Sequence, residues 1–239
     1  MDDTDLYDDP VRRPTGRRPL LGQTVLVVED SKFACDAMRL LCLHSGARIR
    51  RADCLKSARR HLQIYRPTVL IIDVGLPDGS GAELIEETVV ARPRVPVVLG
   101  TSGDALSEDI ALAAGADGFL PKPFGSLAQF QSTILSLLPV ESRPAGPYPV
   151  REEVIKPDPV AYRDDMAHIA EVLTGTPDDK TLLYVAQFLE GVARSASDHT
   201  LERAAASLGK QPGAGHSTRS ETARIAGLVQ ERLNKAPVI

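Results

Sequence analysis

Three short apolar runs constrain this chain more than any other feature: TVLVV at 24–28, VLII at 69–72 and VPVVL at 95–99. None alternates polar with apolar positions, all are too short for a helix, and all are rich in β-branched residues. Such runs are strands buried on both faces, an environment found in parallel sheets sandwiched between two layers of helices. The segments between them supply the helices. Ser31 to Ser45 places Phe33, Ala34, Ala37, Met38, Leu41 and Cys42 on one face, and Gly46 stands where a helix-ending glycine is expected. A second strand is predicted around Arg48–Ala52 and a fifth in DGFLPKPF, with helices over about 55–65, 82–90, 106–114 and 127–138. Strands alternating with helices in this way predict an α/β fold, a doubly wound (βα)5 parallel sheet over residues 23–138.

In an open parallel sheet the functional crevice lies beyond the carboxyl ends of the strands. Glu29-Asp30, Asp73, Thr101 and Lys122 all fall at that end, carried by four different strands. Three carboxylates in one place repel one another unless a cation is present, and an all-oxygen cluster suits Mg²⁺. An aspartate there is able to act as a nucleophile towards a phosphoryl group, and an ammonium and a hydroxyl are suited to hold its oxygens. Taken one by one, these residues have plainer readings. Asp73 could open the turn Leu76-Pro77-Asp78-Gly79, Glu29 and Asp30 could be acids at a helix start beside Ser31, and Phe119 could be a core residue.

Together, VLVVED, IIDVGLPDGSG, PVVLGTSGD and GADGFLPKPF, in this order, resemble the receiver domain of bacterial two-component response regulators over about residues 24–138. The resemblance implies a flavodoxin-like fold in which Asp73 accepts phosphate from a sensor histidine kinase or phosphotransfer protein. It also implies a Mg²⁺ site made of Asp30, Glu29 (usually through water), Asp73 and the backbone carbonyl of Gly75. Thr101 and Lys122 match the hydroxyl and amine that contact the phosphoryl group. Phe119 matches the aromatic that turns with Thr101 on phosphorylation, and the Lys122–Pro123 bond is expected to be cis. Such a protein is a phosphoacceptor switch with slow self-dephosphorylation, not an enzyme of metabolism. Gly75 and Gly103, two positions after Asp73 and Thr101, stand where the family tunes the lifetime of the acyl phosphate.

The remainder is less specific. Residues 1–22 are charged, proline-bearing and lack an apolar stretch, which predicts a disordered tail and no signal peptide. Three cysteines at ordinary spacing, and no apolar run approaching a membrane span, point to a reducing, cytoplasmic setting. Prolines at 139, 144, 147, 149, 157 and 159 predict an extended linker over 139–160. From 161 to 239 only helical periodicity remains. Tyr162, Met166, Ile169, Ala170 and Leu173 mark one stripe, and Leu182, Val185, Ala186, Leu189, Val192 and Ala193 the next. Thr176-Pro177-Asp178-Asp179 is a helix start, and a last helix runs over about 221–234.

These helices predict a small all-α module that contacts a protein partner or a second copy of the chain. Its thirteen acids against eleven bases in 151–239, and a net charge of −4 overall, argue against nucleic acid. A DNA-binding transcriptional regulator remains as an alternative. So does a phosphorelay protein with a divergent histidine-phosphotransfer bundle, although neither His168 nor His199 is followed by two residues and Lys-Gly, as that family's motif requires. None of the five histidines is assigned a role. The linker leaves the helix that begins at Leu127. The module is therefore expected to rest on the face formed by that helix, the strand at Phe119 and the helix from Leu106.

Overall fold

The structure is a computed structural model. It describes residues 13–104, 106–146, 152–175, 177–209 and 216–234, with backbone only for 216–218. The predicted strands and helices are found: β1 Thr24–Val28, α1 Lys32–Ser45, β2 Arg48–Ala52, α2 Leu55–Ile64 and β3 Val69–Asp73. A two-stranded ribbon, β4 Gly75–Leu76 and β5 Gly79–Ser80, precedes α3 Gly81–Val90, and then come β6 Val97–Ser102, α4 Ser107–Ala113, β7 Gly118–Pro121 and α5 Leu127–Leu137. The five long strands are parallel in the order β2-β1-β3-β6-β7. The chain moves outward from β1 to β2 and then back past it to β3, so the strand order reverses between β1 and β3. A crevice opens at such a reversal.

Successive side chains of a strand face opposite sides, and the unbroken runs therefore feed two cores. Val25, Val27, Val69, Ile71, Val97 and Leu99 pack under α1 and α5. Leu26, Val28, Leu70, Ile72 and Val98 pack with α2, α3 and α4 residues such as Leu55, Leu84 and Ala111. All four apolar residues of β3 are fully buried. At roughly 1.5–3 kcal/mol each, they outweigh the several kcal/mol that holding a carboxylate out of water at the strand's end costs.

The C-terminal helices are α6 Pro159–Leu173, α7 Asp179–Ser195, α8 His199–Gly209 and α9 His216–Asn234. They share a third core that includes Met166, Ile169, Val185, Leu189, Leu201 and Ile225. Asp158 caps α6, with Pro159 in its first turn. Asp178 caps α7 by accepting from Thr181 N at 2.8 Å. The helix therefore starts with its cap at Asp178, two residues after Thr176, which lies outside the described residues.

Two expectations are corrected. The predicted disordered tail to residue 22 covers 1–12, which lie outside the described residues, but 13–22 are folded against the domain. Leu20 is fully buried, its N–H donates to Ser45 O at 2.9 Å, and Thr15 bridges Arg18. One large apolar side chain is enough to pin a polar segment. The described parts of the predicted extended linker, 139–146 and 152–160, do not stand off the receiver either. Val140–Ser142 forms a single 3-10 turn, and Ile155 is buried in the first core. Leu127 N donates to Glu153 O at 3.1 Å and Ile155 N to Gly125 O at 3.0 Å, which straps the segment across the start of α5.

Candidate functional site

The structure brings together four of the residues singled out from sequence. Glu29 and Asp30 follow β1, Asp73 ends β3 opposite Thr101 of β6, and Lys122 follows β7. Glu29, Asp30 and Asp73 each present an oxygen, and these atoms lie within 4.8 Å of one another. Lys122 Nζ lies 2.7 Å from Glu29 Oε2 and donates to Asp73 Oδ2 at 2.5 Å. Gly75 N donates to Asp73 Oδ1 at 3.0 Å, and Ser31 N to Glu29 Oε1 at 3.2 Å. The Lys122–Pro123 bond is cis. Asp73, Glu29 and Lys122 are all buried.

The electrostatics follow from that burial. Glu29 is pushed well above the usual carboxylate range, first by desolvation, with the charges of Asp73 and Asp30 adding and Lys122 opposing. Asp30 is pushed up to about 7, again by burial first and then by Asp73. Burial disfavours the charged form of Lys122. The two adjacent carboxylates more than offset this, so the ammonium is held above its ordinary value. One ammonium does not neutralise three carboxylates. An oxygen-only donor set with excess negative charge fits a small divalent cation, so the residues present suit Mg²⁺.

Thr101 and Phe119 are arranged differently. Thr101 is fully buried, and its hydroxyl donates to Leu120 O at 2.6 Å, along β7 and not to Asp73. Phe119 is half-buried and packs against the second core, close to Gly100. Asp78 does more than shape a turn. It accepts from Leu55 N at 2.8 Å and Lys56 N at 3.0 Å, and so caps α2, whose own cap position, Cys54, makes no side-chain cap hydrogen bond.

The C-terminal helices do not rest on the face of α4, β7 and α5, where they were expected. On α4, Ile110 and Leu112 remain exposed. Instead α6 packs along α1, where Phe33 and Tyr162 meet edge to face at 5.8 Å. Asp165 of α6 sits on the N-terminus of α1. It accepts from Ser31 Oγ at 2.7 Å, Lys32 N at 2.8 Å and Phe33 N at 3.1 Å, and Lys32 Nζ reaches Asp164 at 2.9 Å. An N-terminal turn with free N–H groups attracts a carboxylate. Helix α7 crosses the mouth of the site. Tyr184 Oη donates to Asp30 Oδ2 at 2.6 Å, and His168 Nε2 lies 3.3 Å from the same hydroxyl.

Sequence reasoning missed Tyr184 and Asp165. Tyr184 lies off the apolar stripe of α7, and Asp165 is a buried acid (2% exposed) beside the core residue Met166. Both belong to a second, receiver-facing side of the helices that periodicity of the apolar stripe does not report.

Residues 25–134 match the family model described as the response regulator receiver domain. The chain is 36% identical over 102 residues to the "Probable transcriptional regulatory protein TcrX" of Mycobacterium tuberculosis, covering 42% of this chain and 44% of that protein. It is 33% identical over 127 residues to the "KDP operon transcriptional regulatory protein KdpE" of Escherichia coli, covering 53% and 56%. The matched stretch thus spans about half the length of these curated relatives. Among solved structures, the chain is similar to the receiver domain of sensor histidine kinase PA1611 from Pseudomonas aeruginosa PAO1, described "with magnesium ion coordinated in the active site cleft". The identity there is 25% and the TM-score 0.44, over 48% of this chain and 96% of that one. No helix among the described residues is long and apolar enough to cross a membrane. Residues 25–134, which carry the four strand ends, their acids and their lysine, thus match the response regulator receiver domain family.

Proposed function

We propose that the chain is a two-component response regulator in which Asp73 accepts a phosphoryl group from a sensor histidine kinase or phosphotransfer protein, in a Mg²⁺-dependent reaction. The observation that carries this reading is the convergence of Glu29, Asp30, Asp73 and Lys122, from the ends of three strands, on one buried rim. Glu29, Asp30, Asp73 and the Gly75 carbonyl would hold the cation, which would offset negative charge as a phosphoryl group approaches. Lys122 already binds one oxygen of Asp73, and the Gly75 amide orients the other. Thr101 is one strand away, in register with Asp73. Its hydroxyl would have to leave Leu120 O to reach a phosphoryl oxygen, and Phe119 is the adjacent aromatic that would respond. The role is that of a switch with slow self-dephosphorylation and no metabolic chemistry. The signal passes on by contact of the C-terminal helices with a protein partner or a second copy, in a cytoplasmic setting.

Acetyl phosphate with Mg²⁺ should add one phosphoryl group, detected by mass spectrometry. The label should be absent from Asp73→Asn and absent when the metal is chelated. Labelling of Asp73→Asn to the same extent would overturn the assignment.

The names of the curated relatives favour a second reading, in which the C-terminal helices bind DNA. The near balance of acids and bases in 151–239 weighs against it. Salt-dependent, sequence-selective DNA binding by the full chain would establish that reading.

A further inference from the structure

Helix α7 does more than lie near the candidate acceptor. Tyr184, Gln187 and Gly191, at positions i, i+3 and i+7, share one side of the helix, and each meets a different part of the rim. Tyr184 bonds Asp30. A Cβ added at Gly75 would lie 3.4 Å from Gln187 Oε1, and one added at Gly103 would lie 2.8 Å from Gly191 Cα. A Cβ added at Gly191 would lie 3.8 Å from Cδ of Lys122. Gly103, where a Cβ would meet the helix backbone at 2.8 Å, is what lets Gly191 and its helix approach the rim closely. What remains open is a groove of about 690 Å³ to one side, lined in part by Asp30, Arg51, His168 and Glu171. It has room for small molecules.

A phosphodonor that carries its phosphoryl group on a protein side chain has to bring that side chain to Asp73 over the same rim. We propose that α7 holds the donor's place: the C-terminal helices are an intramolecular, non-transferring occupant of the surface a protein phosphodonor must use. Such a donor reaches Asp73 only after α7 has left. The inference rests on the reading of Asp73 as phosphoacceptor. The sequence of α7 supports it independently. Gln187-Phe188-Leu189-Glu190-Gly191 keeps the spacing and the closing glycine of the His-x-x-Lys-Gly motif while replacing its histidine and its lysine. Gln187 is exposed, and its carboxamide stands beside the loop that follows Asp73. Its side chain is comparable in length to a histidine's and lacks the nucleophilic nitrogen that would carry phosphate.

The test uses the full chain with Cys54→Ser and Asp73→Cys, since Cys35 and Cys42 are buried and their thiols are pushed up to about 12 by burial. The probe is a branched polyethylene glycol maleimide, too bulky to follow the groove. Its reaction at position 73 should accelerate when Gly191→Arg is added, about tenfold for each 1.4 kcal/mol of docking lost. Gly103→Leu, which pushes from the receiver side, should act in the same way and guards against a folding defect in α7. A thiol that is equally reactive, or equally unreactive, in the parent and in both opened forms overturns the inference.

A second measurement asks whether 187 is the donor's position. In Gln187→His treated with phosphoramidate, the introduced imidazole displaces ammonia from phosphorus and should then pass the phosphoryl group to Asp73, which should become labelled faster than in the parent chain. The N–P bond breaks, a carboxylate oxygen of Asp73 takes the phosphorus, and the nitrogen recovers its electron pair. With Asp73→Asn as well, the acid-labile label should stay at 187. A label that stays at 187 with Asp73 intact counts against the donor's place. If acetyl phosphate fails to label Asp73 in the parent chain, the acceptor reading itself falls, and the thiol result still stands or fails alone.

Discussion

Tyr184 Oη donates a 2.6 Å hydrogen bond to Asp30 Oδ2, joining residues 154 positions apart. That oxygen belongs to the carboxylate expected to ligate the cation directly, so the docked helix and the metal would draw on the same group. Tyr184→Phe keeps the ring that packs against Phe188 at 5.8 Å and removes only the donor. A hydrogen bond to a charged acceptor is worth about 1.5 kcal/mol. Because it also lowers Asp30, which burial holds at about 7, the comparison is made well above that pH, where the variant is expected to bind Mg²⁺ on the order of tenfold more tightly. Calorimetric titration of the two proteins measures this. An unchanged affinity would mean that the bond does not persist in solution.

Asp165 makes the second anchor. Its carboxylate accepts from Ser31 Oγ, Lys32 N and Phe33 N at the start of α1, and burial still pushes its carboxyl above the usual range despite those three donors. Asp165→Ala leaves those N–H groups without their acceptor at a buried helix end. It should cost about 2 kcal/mol and loosen α6 from α1 without dissolving the core around Met166. Amide hydrogen exchange should rise in α6 and in the first turn of α1 while the strands stay protected. Uniform loss of protection would show that Asp165 supports the whole fold instead.

Much of this was legible in the sequence, and the boundary between legible and hidden is physical. β1, β3 and β6 declare themselves because burial on both faces leaves no polar position to confuse the pattern. Glu29, Asp30, Asp73 and Lys122 follow from those strands, since a parallel sheet brings all its carboxyl ends to one rim. The seat of the C-terminal helices was not legible. It is set by Tyr184, Gln187 and Gly191, a polar and glycine-bearing face that reads as solvent-exposed in a helical pattern. Leu20 was hidden for a similar reason: a single apolar anchor in a polar tail has no periodicity.

Thr101 gives a prediction about the switch. Its one hydroxyl proton is committed to Leu120 O at 2.6 Å, so contact with a phosphoryl oxygen requires that bond to break. Thr101→Ala should still accept phosphate from acetyl phosphate, because Asp73, Lys122 and the acidic pair are intact. It should lose the accompanying change at Phe119, and losing the buried hydroxyl bond to Leu120 O should lower stability by about 1 kcal/mol. Thr101→Ser should restore both. The chemical shifts of the Phe119 ring, with and without phosphorylation, report the outcome. A full response of Phe119 in Thr101→Ala would separate the aromatic from the hydroxyl.

The C-terminal helices carry their own acid sensitivity. Asp198 caps α8 by accepting from Leu201 N at 3.1 Å, takes Arg232 through two bonds of 2.8 and 3.0 Å, and accepts from Tyr162 Oη at 2.9 Å. Burial alone would raise its carboxyl. Arg232, Leu201 N and Tyr162 more than reverse this, lowering it from 3.8 to about 2. A carboxyl depressed in the folded state binds protons more readily when the chain unfolds. Its stabilisation is therefore complete above about pH 4 and is lost as pH falls towards 2. With allowance for solvent at this partly exposed pair, that stabilisation is about 1–2 kcal/mol. Asp198→Asn removes this part of the pH dependence. Denaturant unfolding of the C-terminal helices should therefore show the wild type losing its advantage over Asp198→Asn between pH 4 and pH 2. Other carboxylates titrate in the same window, so the difference between the two proteins is the readout. A gap that stays constant down to pH 2 would show that the Arg232 pair does not hold Asp198 ionised.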